Sequence, residues 1–205
     1  MPDSTRSLLY ERAALAGLQI PTPLTDRLLA YYELLTRWNR KINLTSLSDP
    51  AQAIDRLLLE PIAAAQHLPQ GARLADLGSG GGSPAIPLAL GLASPHLLMV
   101  ESRSRKAAFL REAARQLDLP ASVEAVRFEE LTEKLEHRQS ADVVSMRAVR
   151  PDPETLLLAR WIARDGGEVA FFTSQAELAD LPEARSTWTI MPSAILVTFH
   201  VEHHT

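Results

Sequence analysis

From Arg73 onward the chain alternates short apolar runs with helical patterns, and this alternation restricts its fold more than any other feature. Leu74 to Leu77 precedes a helical stretch from Pro84 to Leu92. Leu97 to Val100 precedes Ser104 to Leu117, and Val123 to Val126 precedes Glu129 to Leu135. Ala141 to Met146 is followed by Asp152 to Ala163, and Glu168 to Phe172 lies behind the turn residues Asp165-Gly166-Gly167. Strand and helix in alternation make βαβ units, whose right-handed crossovers build a parallel sheet. The tail breaks the rule. Trp188 to Met191 and Ala194 to Val201 are separated only by Pro192-Ser193, a connection that can form only an antiparallel hairpin. The expectation is an α/β fold with a mostly parallel seven-stranded sheet and a terminal antiparallel hairpin.

Before residue 72 no strand pattern occurs. Leu8, Leu9, Arg12 and Leu15 recur at helical spacing, with Gly17 placed to end that segment and Pro21 and Pro23 to interrupt the next. Thr25 can cap a helix carrying Leu28, Leu29, Tyr32, Leu35 and Trp38 on one stripe. Asp49-Pro50 reads as an N-cap with proline in the first turn. Its helix continues through Ile54, Leu57 and Leu58 until Pro61 kinks or ends it. Two parts result: an N-terminal helical segment over residues 1–70 and the α/β domain over 71–205.

The richest segment is Ala75-Asp76-Leu77-Gly78-Ser79-Gly80-Gly81-Gly82-Ser83-Pro84, an apolar strand running into a glycine turn that opens a helix. Glycines let a ligand lie on bare main chain, and the helix N-terminus behind them offers free N–H groups. In a doubly wound sheet this turn lies at the carboxyl ends of the strands, where ligands bind. A phosphate loop is excluded, because no Lys-Ser/Thr pair closes the turn. Gly80-x-Gly82-x-x-Ala85 fits a loose dinucleotide fingerprint. Asp76, with Gly78, Gly80 and Gly82 spaced two apart behind it, favours S-adenosylmethionine. An acid there can take that ligand's ammonium group and would repel a pyrophosphate. Glu101 follows by about 20 residues, at the end of the next strand, and can accept ribose hydroxyls in either reading. Five parallel strands closed by a hairpin then match the class I, Rossmann-like methyltransferase sheet.

The chain also resembles the glucose-inhibited division protein B family, enzymes that form 7-methylguanosine in small-subunit ribosomal RNA. The resemblance runs from the helical front through Phe172. It rests on Trp38-Asn39-Arg40-Lys41-Ile42-Asn43-Leu44-Thr45, on Asp76 through Ala89, and on Arg105-Lys106-Ala107-Ala108-Phe109-Leu110. Arg127-Phe128-Glu129-Glu130 and Arg147-Ala148 complete it. It implies that Gly78, Ser83, the Phe128-Glu129 pair and Arg147 contact the cofactor. Phe128 and Glu129 would meet the adenine amine. Arg147, beside the reacting methyl, is the candidate catalytic residue and would pair with the ligand carboxylate or RNA phosphate. The departures lie on the substrate side. The family's Arg-His-x-x-Asp-Ser reads Arg56-Leu57-Leu58-Leu59-Glu60-Pro61 here. Ala85, Met146, Thr173 and Ser174 also replace the family's residues.

The resemblance implies an S-adenosylmethionine cofactor, a role in rRNA processing, and ribosomal RNA or the small ribosomal subunit as partner. Three alternatives remain open: a methyltransferase on another RNA or a small molecule, a silent paralogue that binds S-adenosylmethionine or RNA, and a nicotinamide-dependent oxidoreductase. The formal net charge of −4 means that RNA binding would need a local basic cluster. Arg103, Arg105, Lys106, Arg111 and Arg115 supply one candidate, and Arg37, Arg40 and Lys41 another. Trp38 reads as core, and Asn43 and Thr45 as braces between front helices and sheet. The chain has no cysteine, which removes thiolate metal sites and thiol nucleophiles. The six histidines, His67, His96, His137, His200, His203 and His204, lack metal-ligand spacing. Met1 to Ser7 does not read as a secretory signal, and the apolar runs are short for a bilayer. A cytoplasmic protein without metal or membrane association is expected, with oligomeric state open and a monomer favoured.

Overall fold

In a computed structural model, residues 3–149, 152–178, 181, 186–192 and 194–203 are described, apart from the side chains of Asp3 and Glu129. Helix α1 (Asp3–Leu15) ends at Gly17, whose φ of +69° suits glycine. Helix α2 (Thr22–Asn39) begins at Pro21, before the expected Thr25 cap. Pro23 loses nothing in a first turn, where N–H groups have no intrahelical partner. Thr25 is instead fully buried, its Oγ1 turned towards the Ile20 carbonyl at 3.5 Å.

Asp49 does cap helix α3 (Pro50–Ile54), accepting from the Gln52 N–H at 2.8 Å. Pro61 does not end the helical run. The chain widens into a π-turn (Asp55–Leu59) and continues as α4 (Glu60–Ala65), with Pro61 in its first turn. Proline has no N–H to give to Leu57 four residues back or Arg56 five residues back. Those two carbonyls instead receive Ser83 Oγ at 2.9 Å and Arg147 Nη1 at 2.6 Å.

The sheet comprises β1 (Leu74–Leu77), β2 (Leu97–Val100), β3 (Ala121–Glu124), β4 (Ala141–Arg147), β5 (Ala163–Thr173), β6 (Ser186–Met191) and β7 (Ala194–His200). Their spatial order is β3-β2-β1-β4-β5-β7-β6. Strands β1 to β5 run parallel, and β7 lies antiparallel between β5 and β6. The crossover helices are α5 (Ala85–Leu92), α6 (Ser104–Gln116), α7 (Phe128–Leu131) and α8 (Pro153–Ile162). Ser193, part of the expected hairpin connection, and His204 lie outside the described residues.

Three boundaries differ from expectation. Strand β3 sits two residues earlier than Val123 to Val126, because pairing Ala121 with Leu97 and Glu124 with Val100 sets the register of this half-buried edge. The helix expected over Glu129 to Leu135 shortens to α7 and a 3₁₀ turn (Leu135–His137). Strand β5 begins at Ala163, before Asp165-Gly166-Gly167, so the turn residues lie inside the strand's span. Gly166 takes a φ of +68°, and a Cβ on Gly167 would lie 2.9 Å from the Arg164 carbonyl. Pairing with β4 shifts register between Ala141 and Val143 at the same level, as a bulge does.

One apolar core joins Leu9, Leu28, Tyr31 and Leu58 of the front helices to Leu74, Ile86 and Phe109 of the sheet and its helices. A second, on the opposite face, gathers Leu77, Val144, Leu158 and Val197. The front helices therefore form part of one layer of the α/β sandwich. They bring α2 and the α3–α4 run against the turn that follows β1.

Candidate functional site

Strand order reverses between β1 and β4, with β1 flanked by β2 on one side and β4 on the other. The glycine turn leaves β1 at this switch point, where an open α/β sheet has its crevice. Gly78, Gly80 and Gly82 all have positive φ. Their surroundings differ. A Cβ on Gly82 would stand 2.8 Å from Ile86 and 3.3 Å from Tyr31, and one on Gly78 would stand 2.8 Å from Val149. Gly80 meets only its own turn at 3.7 Å (the Gly78 carbonyl) and Lys106 Nζ at 4.0 Å. Gly78 and Gly82 fit the turn into the core. Gly80 is the one that presents bare main chain to open space.

Tyr31 fixes the turn from behind, donating its hydroxyl to the Gly81 carbonyl at 2.6 Å while fully buried. Burial pushes its phenol pKa up. The stripe expected from the sequence carries Tyr32 instead, whereas Tyr32 is half-buried. The signal for Tyr31 is its spacing: it lies three residues after Leu28 and four before Leu35, both of which are buried.

The two strand-end acids have distinct partners. Asp76 is 1% exposed, and its Oδ1 accepts from Ser145 Oγ at 2.6 Å. Oδ2 is buried with no hydrogen-bond partner among the described residues. Burial raises the carboxyl to about 6, against the lowering influence of the Ser145 bond and the Arg147 charge. Glu101 is also buried. Its Oε2 accepts from the Gly80 N–H at 2.9 Å and its Oε1 from the Arg103 N–H at 2.8 Å, so it ties the glycine turn to the start of α6. Each oxygen keeps capacity for a further donor.

Phe128 opens α7, with its ring 3.9 Å from where a Gly78 Cβ would lie. With Val149, Thr155, Leu158 and Trp161 it lines a cleft of about 700 Å³ between α7 and α8. The Glu129 side chain lies outside the described residues.

Arg147, at the end of β4, has its side chain largely covered, 9% exposed, and already engaged. Nη1 donates to the Arg56 carbonyl and, at 3.3 Å, to Ser83 Oγ; Nη2 donates to Glu60 Oε2 at 2.8 Å. The guanidinium stands over the Phe172 ring, 4.7 Å from its centroid. Burial lowers it to about 10 although the Glu60 charge opposes the shift. Burial likewise raises Glu60, with Arg147 opposing. The guanidinium expected to meet a ligand carboxylate or phosphate therefore has a carboxylate of this chain as its ionic partner. Glu60 lies 87 residues away in sequence, beyond the reach of any local pattern.

The basic residues separate into two groups. Arg40, Lys41, Arg103, Arg105 and Lys106 line a cleft of about 630 Å³ beside the glycine turn. Arg115 instead pairs with Glu112 at 2.8 Å, and Arg111 donates to the Val123 carbonyl. The cleft's floor is braced by Asn39 rather than Asn43: Oδ1 accepts from the N–H groups of Leu44 and Thr45, and Nδ2 donates to the Thr45 carbonyl. Trp38 packs edge-on to Phe109, 5.8 Å between centroids. Among the described residues, no group of three or more His, Asp or Glu side chains could hold a metal ion, and no helix is long and apolar enough to cross a membrane.

This strand order, with a glycine turn and two strand-end acids at the switch point, is that of the class I methyltransferases. A solved S-adenosylmethionine-dependent methyltransferase from Aquifex aeolicus shares the fold, with a TM-score of 0.59 over 82% of this chain and 98% of that one at 12% identity. Residues 24–204 match the family model of rRNA small subunit methyltransferase G, GidB. Ribosomal RNA small subunit methyltransferase G of Gluconobacter oxydans is 37% identical, covering 83% of this chain and 85% of that one. Its counterpart from Rhodospirillum centenum is 40% identical over 80% and 74%. The chain belongs to the rRNA small subunit methyltransferase G family.

Proposed function

We propose that this protein transfers the methyl group of S-adenosylmethionine to N7 of a guanine in small-subunit ribosomal RNA, as a cytoplasmic monomer. Family membership supports the reaction class. The observation that carries the cofactor reading is Asp76 Oδ2, a buried carboxylate oxygen at the head of the glycine turn with no partner among the described residues. Such an oxygen fits an ammonium group, and its charge disfavours a dinucleotide pyrophosphate. In this reading Asp76 takes the amino group and Gly80 offers main chain, while Gly78 and Gly82 hold the turn against the core. Glu101 keeps lone pairs for the ribose, and Phe128 and Glu129 border the adenine. Ser83 and Arg147 stand towards the methyl-transfer side. Bound there, S-adenosylmethionine supplies an electrophilic methyl group.

Guanine N7 carries a free lone pair, so no general base is needed and the family's missing histidine at Leu57 is no obstacle. The chain's task is orientation and the stabilisation of charge. The cleft of Arg40, Lys41, Arg103, Arg105 and Lys106 offers the local basic surface that RNA phosphate requires on a chain of net charge −4. It lies between the helical segment, 1–70, and the methyltransferase domain, 71–205.

Calorimetric titration tests the cofactor assignment. S-adenosylmethionine and S-adenosylhomocysteine are expected to bind in the micromolar range, and NAD not at all. Gly80→Val forces a β-branched residue into a left-handed conformation at a strain of roughly 1–3 kcal/mol. No core atom opposes it, so the variant folds but binds neither ligand. Tight NAD binding, or a Gly80→Val protein that binds normally, refutes the assignment.

A further inference from the structure

The α3–α4 run borders a third, smaller cleft of about 370 Å³, lined by Leu47, Gln52, Asp55, Arg56 and Glu60. Its two acids are not equivalent. Both oxygens of Asp55 are taken by the Arg12 guanidinium. Glu60 is 3% exposed; Arg147 holds its Oε2, and Oε1 makes no hydrogen bond among the described residues. A buried carboxylate with one oxygen held and the other free is a directed acceptor. Through Arg147, which also bonds Ser83 Oγ, this acceptor is tied to the end of the glycine turn.

We infer that this cleft receives the Watson–Crick edge of the target guanine, with Glu60 accepting its N1–H and N2–H groups. The inference rests on the guanine-N7 reading and names the group that selects the base. Guanine is the one standard base with two adjacent donors on that edge, which a carboxylate matches in pairs. Adenine and cytosine present a ring-nitrogen lone pair there, which a buried carboxylate repels. Gln52 and Arg56 border the same cleft and carry donors suited to O6. The arrangement also favours the reaction. The N7 lone pair forms the bond to carbon, the carbon–sulfur pair stays on sulfur, and the positive charge passes to the base. N1–H keeps its proton and becomes a stronger donor, so a fixed negative charge beside it stabilises the transition state more than the ground state.

The probes are guanosine, inosine and adenosine monophosphates, their binding to the S-adenosylhomocysteine-saturated protein measured by saturation-transfer NMR. Inosine differs from guanosine only by lacking the N2 amine. Guanosine monophosphate is expected to bind roughly ten- to a hundredfold more tightly than inosine monophosphate, and adenosine monophosphate more weakly still. Glu60→Gln brings the guanosine and inosine nucleotides to equal affinity, whereas a disturbance passed on through Arg147 alone would weaken both alike and keep their ratio. Glu60→Asp keeps the charge, withdraws the carboxylate by one methylene and reduces the same preference; it serves if the glutamine variant folds poorly. Equal binding of the guanosine and inosine nucleotides by the wild type overturns the inference, as does a preference kept in both variants. Methyl transfer to small-subunit particles separates the two claims. A Glu60→Gln protein that methylates guanine N7 at the wild-type rate removes Glu60 from selection and leaves the function standing. A wild type that methylates a different base refutes the function itself.

Discussion

Asp76→Asn is expected to stabilise the protein at neutral pH while weakening S-adenosylhomocysteine binding about ten- to a hundredfold, the worth of a hydrogen bond to a charged group. The two effects have opposite signs because the Asp76 carboxylate is costly to the empty fold and, in the proposed complex, pairs with the ligand ammonium. Its Oδ2 is buried without a partner among the described residues, and burial raises its carboxyl from 3.8 to about 6. With the folded value above the unfolded one, the folded state binds its proton more tightly. Stability from this group is complete below pH 3.8 and lost as pH rises to about 6. The loss is on the order of 3 kcal/mol at one pKa unit per 1.36 kcal/mol. An ammonium ligand needs the ionised form. S-adenosylhomocysteine affinity therefore falls by up to about tenfold per pH unit below about 6, and the asparagine variant lacks this dependence. Thermal melts and calorimetry from pH 5 to 8 check both signs. A destabilised variant at neutral pH, or wild-type affinity flat across pH 6, contradicts this role.

The second large effect is expected at Arg147. Arg147→Ala strands Glu60 as a buried charge, and breaking one side of such a pair costs about 3–5 kcal/mol. Arg147 is what opposes the upward shift of Glu60, so in the variant Glu60 rises further. A carboxyl raised in the folded state contributes its stability at low pH and loses it as pH rises. The deficit in urea unfolding is therefore largest at alkaline pH and narrows on acidification. Adding Glu60→Gln removes the stranded charge and restores most of the stability. Methyl transfer does not return with it: kcat/KM stays about a hundredfold down or more, because Ser83 and the Arg56 carbonyl have lost the fork that joins them. Arg147→Lys keeps charge without the fork and falls between. Unchanged stability in Arg147→Ala, or recovery of activity in the double variant, contradicts the network.

The parallel sheet, the hairpin and the glycine turn were legible because each has a local signature: short apolar runs alternating with helical patterns, a two-residue connection, glycines between strand and helix. Asp76 and Glu101 were legible as strand-end acids. What they bond was not, since Ser145 comes from a neighbouring strand and the Gly80 N–H from across the turn. Pro61 misled because its usual effect on a helix is local, whereas here a π-turn absorbs it and distant side chains take the freed carbonyls. Register moved β3 against its own apolar pattern. Tyr31 carried a readable spacing that Tyr32 obscured. The Arg147–Glu60 pair and the split of the basic residues depend wholly on tertiary contact.

Methyl transfer itself tests the proposed function most directly. Small ribosomal subunits lacking the modification are incubated with purified protein and labelled S-adenosylmethionine, and any methyl group is mapped by mass spectrometry. Label is expected at N7 of a guanine in the small-subunit RNA, absent with Arg147→Ala. Cofactor binding with no methyl reaching any ribosomal RNA would contradict it.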